Sequence, residues 1–207
     1  FISFFSSFLA VNIFYKLVRL EFYKEIAEKG VIYLLIFPAS FYLLTAYSEG
    51  LFMLFVISSF YFFKKEKILL AVIFASLASA TRLAGLAVSL AFLIEILSKR
   101  SLQGRNWLIL FAPLGFLIYC SYLFLKTGDP FYFLTAQLYW LRSLALPGLN
   151  IWETLRVISF PGLISRYPNL AIDLTFTIFG IGMVLRSFRF LPSSYSMYGL
   201  ISLLLPL

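Results

Sequence analysis

Long apolar runs separated by short charged clusters organise this chain. Between Lys29 and Lys64-Lys65 lie 34 residues whose single charged member is Glu49. That length divides into two legs of ~17 residues, each ~25 Å as helix, close to the thickness of a bilayer core. The pattern predicts a hairpin with legs Val31–Thr45 and Gly50–Phe63 and with Glu49 at the turn, opposite the lysines. Pro38 is expected to kink the first leg and free backbone groups, which suits a helix facing protein or a wet cavity. A carboxylate held at a membrane boundary costs free energy and is a functional candidate on that ground. Glu49 equally fits the first turn of a helix, where the dipole favours acids.

The flanking pattern extends the same plan. Phe1 to about Tyr15 reads as a first span. Lys16 to Lys29 reads as an amphipathic interfacial helix, with Glu25 and Lys29 as an i,i+4 pair and Gly30 as its end. Ile68 to Leu97 fits one long tilted helix or two short legs turning near Thr81-Arg82. With the turn, twelve of the 17 basic residues fall on one side; with a straight helix the division is eleven against five, Arg82 being left inside the membrane. Two arguments favour the turn. Long loops weigh little in the positive-inside rule, and a lone arginine in mid-membrane needs special pairing. Ala75 to Ala80 is rich in small residues and fits close helix packing. Leu108–Leu125 is the next span, with Pro113 inside it, and Lys126 to Pro130 a turn. Phe131–Leu144 reads as an interfacial helix and Trp152–Ser159 as a second short one. Leu170–Leu185 is another span, and an incomplete one starts at Tyr195.

Composition agrees with that pattern. Hydrophobic residues make up 62% of the chain and charged residues 13%, against about 45–50% and 25% in soluble domains. The expected class is an all-α, polytopic transmembrane helical bundle with short hairpin helices and interfacial helices, six or seven spans in one domain over 1–207. The chain starts at Phe1 within an apolar run and ends within another. It is expected to be a fragment of a longer integral, multi-pass membrane protein, since the start lacks the basic region of a signal peptide. The net charge of +8 is spread among loops between apolar runs, which fits a membrane surface rather than nucleic acid. One cysteine and no histidine argue against a disulfide, zinc, haem and Ser-His or Cys-His catalysis. No metal or other cofactor is implied.

On this topology Glu49, Asp129, Glu153 and Asp173 face outward, in company with Arg82, Lys126, Arg142, Arg156 and Arg166. A membrane cavity holding a few acids and several cations suits an anionic, lipid-linked substrate. Arginine offers a phosphate bidentate hydrogen bonds, and an acid accepts a proton from a hydroxyl nucleophile. Plainer roles exist for each: interface anchor for Arg82, headgroup contact for the other cations, turn residue for Asp129, satisfied polar side chain for Gln137. Tyr47, Tyr139 and Trp140 fit an interfacial aromatic belt or a sugar platform. Glu95 lies near an inner helix end, where it can snorkel, and is given no function.

Several of these residues occur together in order: Phe37-Pro38-Ala39-Ser40-Phe41, Tyr47-Ser48-Glu49-Gly50-Leu51-Phe52, Ala78 to Leu86 around Thr81-Arg82, and Gly128-Asp129-Pro130-Phe131 with Gln137 and Trp140. From about Val11 to about Gly162 the chain resembles the PIG-V family, the GPI mannosyltransferase 2 type and its prokaryotic relatives. It departs from the family at Gly50, where a serine usually follows the acid. The resemblance implies a GT-C-type glycosyltransferase using a polyprenyl-phosphate sugar, dolichol- or undecaprenyl-phosphate mannose, as donor substrate. Transfer would invert the anomeric carbon, on the outer or luminal face. The membrane would be the plasma membrane in a prokaryote and the endoplasmic reticulum in a eukaryote. It places the usual catalytic acid upstream of Phe1, which leaves Tyr47, Glu49, Arg82, Asp129, Gln137 and Arg142 as substrate-binding residues. The partners are then membrane lipid, a lipid-linked sugar donor and a glycan or glycolipid acceptor. A transporter or flippase for an anionic lipid-linked substrate is the alternative, because it too needs intramembrane charges and Pro-broken helices.

Overall fold

Small and hydroxylic residues decide where the first helices meet. The computed structural model describes residues 1–45, 47–98, 104–138, 156 and 168–204, and every regular element among them is helical. Helix α1 (Ile2–Glu21) buries Ser6, Ser7, Ala10 and Leu17. It packs along α3 (Glu49–Lys64), which buries Gly50, Val56, Ser58, Ser59 and Phe60. The two helices run parallel. At one end a Cβ on Gly50 would press on the Ser7 hydroxyl and lie 2.8 Å from the Ser3 carbonyl. At the other, Lys64 Nζ lies 2.7 Å from Glu21 Oε1. Glycine is required at position 50 by this close approach of two backbones.

Between them α2 (Lys24–Ile36) returns along α1. Phe37, held extended (φ −56, ψ 135) before proline, stops α2, and Pro38 opens a 3-10 turn over Pro38–Leu43. The Ser7 hydroxyl donates to the Leu43 carbonyl at 2.6 Å and ties that turn to α1.

Helix α4 (Ile68–Thr81) packs on α3. Arg82 is extended (φ −151, ψ 146), and a 3-10 turn over Leu83–Gly85 leads into α5 (Leu86–Ser98). The chain therefore reverses at Arg82 in two short legs. Phe92 of α5 stacks on Phe63 at 4.2 Å and meets Phe60 edge-on at 5.0 Å, so α5 descends beside the far end of α3. A 3-10 run, Gly104–Phe111, gives way at Pro113 to α6 (Leu114–Thr127). Gly115 sits against the Ser76 carbonyl, and Ser79 Oγ accepts from the Phe116 N–H at 3.2 Å while lying 2.8 Å from the Ser76 carbonyl. The small-residue stretch of α4 is thus a close-packing site. Ser79→Ala removes a buried acceptor and is expected to cost about 1 kcal/mol. Thermal unfolding of the purified protein measures it; an unchanged midpoint would show that the hydroxyl carries no weight there.

These elements form one compact unit, Phe1–Tyr122; Leu123–Leu207 forms a second. In the second, α7 (Tyr132–Leu138) follows the Gly128 turn (φ +77). Helices α8 (Pro168–Ser187) and α9 (Ser193–Leu204) pack together, and the Ser187 hydroxyl donates to Ser196 Oγ at 2.8 Å.

Several expectations are corrected. The stretch 16–29 is not one interfacial helix: α1 continues to Glu21, and the break falls at Phe22 and Tyr23, both extended and neither a glycine nor a proline. Gly30 does not end a helix; α2 runs through it, and the glycine lies against the Phe14 ring. The ion pair on α2 joins Lys24 to Glu28 (3.4 Å), not Glu25 to Lys29. Pro38 breaks the first leg rather than kinking it, because it has no N–H to continue the ladder. Glu95 does not snorkel. It is 2% exposed, on the α5 face that also carries Phe92, which the α3 rings cover.

Among the described residues two stretches are long and apolar enough to cross a membrane, Ile2–Glu21 and Gly104–Thr127. Helices α3, α4 and α5 have 16, 14 and 13 residues and reach about 20–24 Å, below a full bilayer core. Of the stretch 131–144, Tyr132–Leu138 is helical and 139–144 lies outside the described residues, as does the short helix expected over 152–159 except for Arg156, which is helical.

Candidate functional site at the Glu49–Arg82 ion pair

Two backbone breaks place the charged residues of this site. Ser48 precedes α3 as its N-cap, and Glu49 is the first helical residue, where an acid meets the positive end of the helix dipole. Arg82 closes α4: its N–H donates to the Ala78 carbonyl at 3.2 Å, and its own carbonyl accepts from the Gly85 N–H at 2.8 Å. Both residues therefore stand on fixed backbone at the same end of the α3–α4 pair. Arg82 Nη1 lies 2.7 Å from Glu49 Oε1, which is a short, charge-assisted contact. The guanidinium also sits 5.9 Å from the centre of the Phe52 ring, within cation–π range.

The pair is not closed. The Arg82 side chain is 41% exposed and Glu49 is 29% exposed. Glu49 Oε2 is buried and has no hydrogen-bond partner among the described residues. A carboxylate oxygen left unpaired in a protected place costs free energy. At this exposure an ion pair in water contributes only about 0.2–1 kcal/mol, so stability is a weak reason for it. The arrangement presents an arginine with donors to spare, held by a carboxylate whose second oxygen is shielded.

Tyr47 lies two residues before Glu49, exposed, with its ring edge-on to Tyr42 at 5.6 Å. Asp129 is in the second unit, half-buried, where its Oδ1 accepts from the Phe131 N–H at 2.8 Å; the turn role is realised there. Gln137 lies on α7, its side chain outside the described part, and Arg142, Tyr139 and Trp140 lie outside the described residues. Among the described residues of the Phe1–Tyr122 unit, the two brought together are Glu49 and Arg82. Two further contributors are not among the site residues expected from the sequence. Phe52 stands three residues after Glu49, on the same helix face, and that spacing could have found it. Ser7 anchors the preceding turn from 36 positions away, and nothing local marks it.

Among the described residues no group of three or more His, Cys, Asp or Glu side chains gathers where a metal ion could be held. No protein-family model, curated protein or solved structure matches the chain.

Proposed function

We propose that the chain belongs to a multi-pass membrane glycosyltransferase of GT-C type. It moves a mannosyl or other hexosyl residue from a polyprenyl-phosphate sugar to a hydroxyl of a lipid or glycan on the outer or luminal face. The membrane part rests on charge placement. In the Phe1–Tyr122 unit, α3 carries Glu49 at one end and Lys64 at the other, about 22 Å apart along the axis, with no charge between. The lysine end is rich in basic residues, as a cytoplasmic surface is.

The observation that carries the reaction is the open Glu49–Arg82 pair. In the transfer step the acceptor oxygen bonds to the anomeric carbon as the bond from that carbon to the phosphate oxygen breaks. The acceptor proton passes to a general base, which is assigned to none of the described residues. The electron pair leaves with the phosphate. Arg82 donates to that phosphate as its charge grows, which favours the transition state over the bound donor. Glu49 Oε1 holds the guanidinium in place.

The test is transfer from labelled polyprenyl-phosphate mannose by the intact protein in proteoliposomes. A new glycosidic bond is the expected product, and Glu49→Gln, which weakens the charge-assisted contact that holds Arg82, is expected to slow its formation about tenfold. Movement of the lipid across the bilayer with no new glycosidic bond would select a transporter or flippase instead.

A further inference from the structure

The end of the Phe1–Tyr122 unit remote from Glu49 gathers basic residues from three separate parts of the chain. The Glu21–Lys64 contact fixes the last turn of α1 beside the last turn of α3, and the break at Phe22-Tyr23 starts α2 at the same end. Of the acids there, Glu21 is occupied by Lys64 and Glu28 by Lys24. Lys16, Arg19, Lys29, Lys65 and Lys67 are exposed, and among the described residues none has a carboxylate within ion-pair distance. Lys65 lies over the Tyr61 ring at 4.7 Å. Five cations therefore face the two remaining acids, Glu25 and Glu66. Apolar side chains stand among them: Tyr23 is 80% exposed at the α1–α2 turn, with Leu20 and Ile26 on either side.

We infer that this end is a binding surface for anionic phospholipid headgroups. A free phosphate would need only the cations. Exposed Leu20, Tyr23 and Ile26 beside them match a headgroup layer, where aromatic and aliphatic groups sit against lipid while lysines reach the phosphates. Tyr23 lodges at that level, and the cations on both sides of the turn hold two or more headgroups. Among the described residues of this unit, the Glu49 end carries one arginine beside one carboxylate rather than a cluster of cations. The inference rests on the membrane reading but not on glycosyl transfer.

The experiment uses the intact protein in neutral phosphatidylcholine nanodiscs, into which phosphatidylglycerol is titrated, with bound lipid read by native mass spectrometry. Wild type is expected to retain phosphatidylglycerol over phosphatidylcholine, less so as salt is raised. Each basic residue near an anionic surface is worth about fivefold in binding. The triple variant Lys16→Gln/Lys65→Gln/Lys67→Gln is expected to lose on the order of 10²-fold, and each single variant about fivefold. The single variants keep the test alive if the triple one fails to fold. Equal retention of the two lipids, or unchanged preference in folded variants, overturns the inference. So does equally tight binding of inorganic phosphate, which would make the surface a general anion site. A protein that stays soluble without detergent or lipid overturns the membrane reading itself, and that outcome is separate from a membrane protein that merely fails to discriminate.

Discussion

Replacing Arg82 by alanine is expected to lower glycosyl transfer by about a hundredfold or more, with the protein still inserted and its helix content unchanged. Arg82 holds Glu49 at 2.7 Å and has donors left for a second anion. On the proposed reading, removing it takes away the partner of the leaving phosphate, and it leaves both oxygens of Glu49 unpaired. A group that acts mainly on charge developing in the transition state should depress kcat more than it raises KM. Arg82→Lys keeps the charge but loses the planar fork, so it should recover part of the rate. Because an ion pair this exposed contributes little to stability, thermal midpoints should move far less than rates do. The measurement is initial rate against donor concentration, with membrane fractionation to confirm insertion. Wild-type turnover in both Arg82→Ala and Glu49→Gln would remove the pair from the site.

Gly85→Val is expected to destabilise the protein by about 3 kcal/mol or more. A Cβ at position 85 would run into the Ala78 carbonyl group and the Ser79 nitrogen, which are helix backbone and cannot rotate aside. The turn Leu83–Gly85 would have to lift off α4 and take Arg82 with it. The same substitution should therefore lower transfer even in the fraction that remains folded, because the guanidinium no longer meets Glu49. Thermal unfolding in detergent measures the first effect and the transfer rate the second. A midpoint within a degree of wild type would mean that the turn does not pack as described.

The chain reversal at Arg82 was readable because a lone arginine in an apolar run needs an exit, and the structure provides it with an extended residue and a 3-10 turn. The Gly128-Asp129-Pro130 turn was readable because its residues carry their own geometry, a positive φ at Gly128 and an Asp129 side chain that accepts from Phe131. Other boundaries were not. Gly30 looks like a stop in a local window, yet α2 passes through it beside the Phe14 ring. Glu95 looks able to reach water from a helix end, yet rings from α3 cover its face.

Local sequence carried the helical class and the long apolar runs, favoured a reversal at Arg82 over one straight helix, and put Glu49 and Arg82 among the candidate residues. The class, the runs and the reversal follow from hydropathy, helix period and turn chemistry, which act over a few neighbouring residues, while the candidate set also drew on the resemblance to the PIG-V family. Tertiary packing alone settled that the Glu49 and Arg82 side chains meet across 33 positions and that α1 lies parallel to α3. It also decided that Gly50 is there to let the two backbones touch. Such contacts depend on the summed packing of all the helices, in which one missing Cβ sets a helix separation, and no local window of sequence contains that sum.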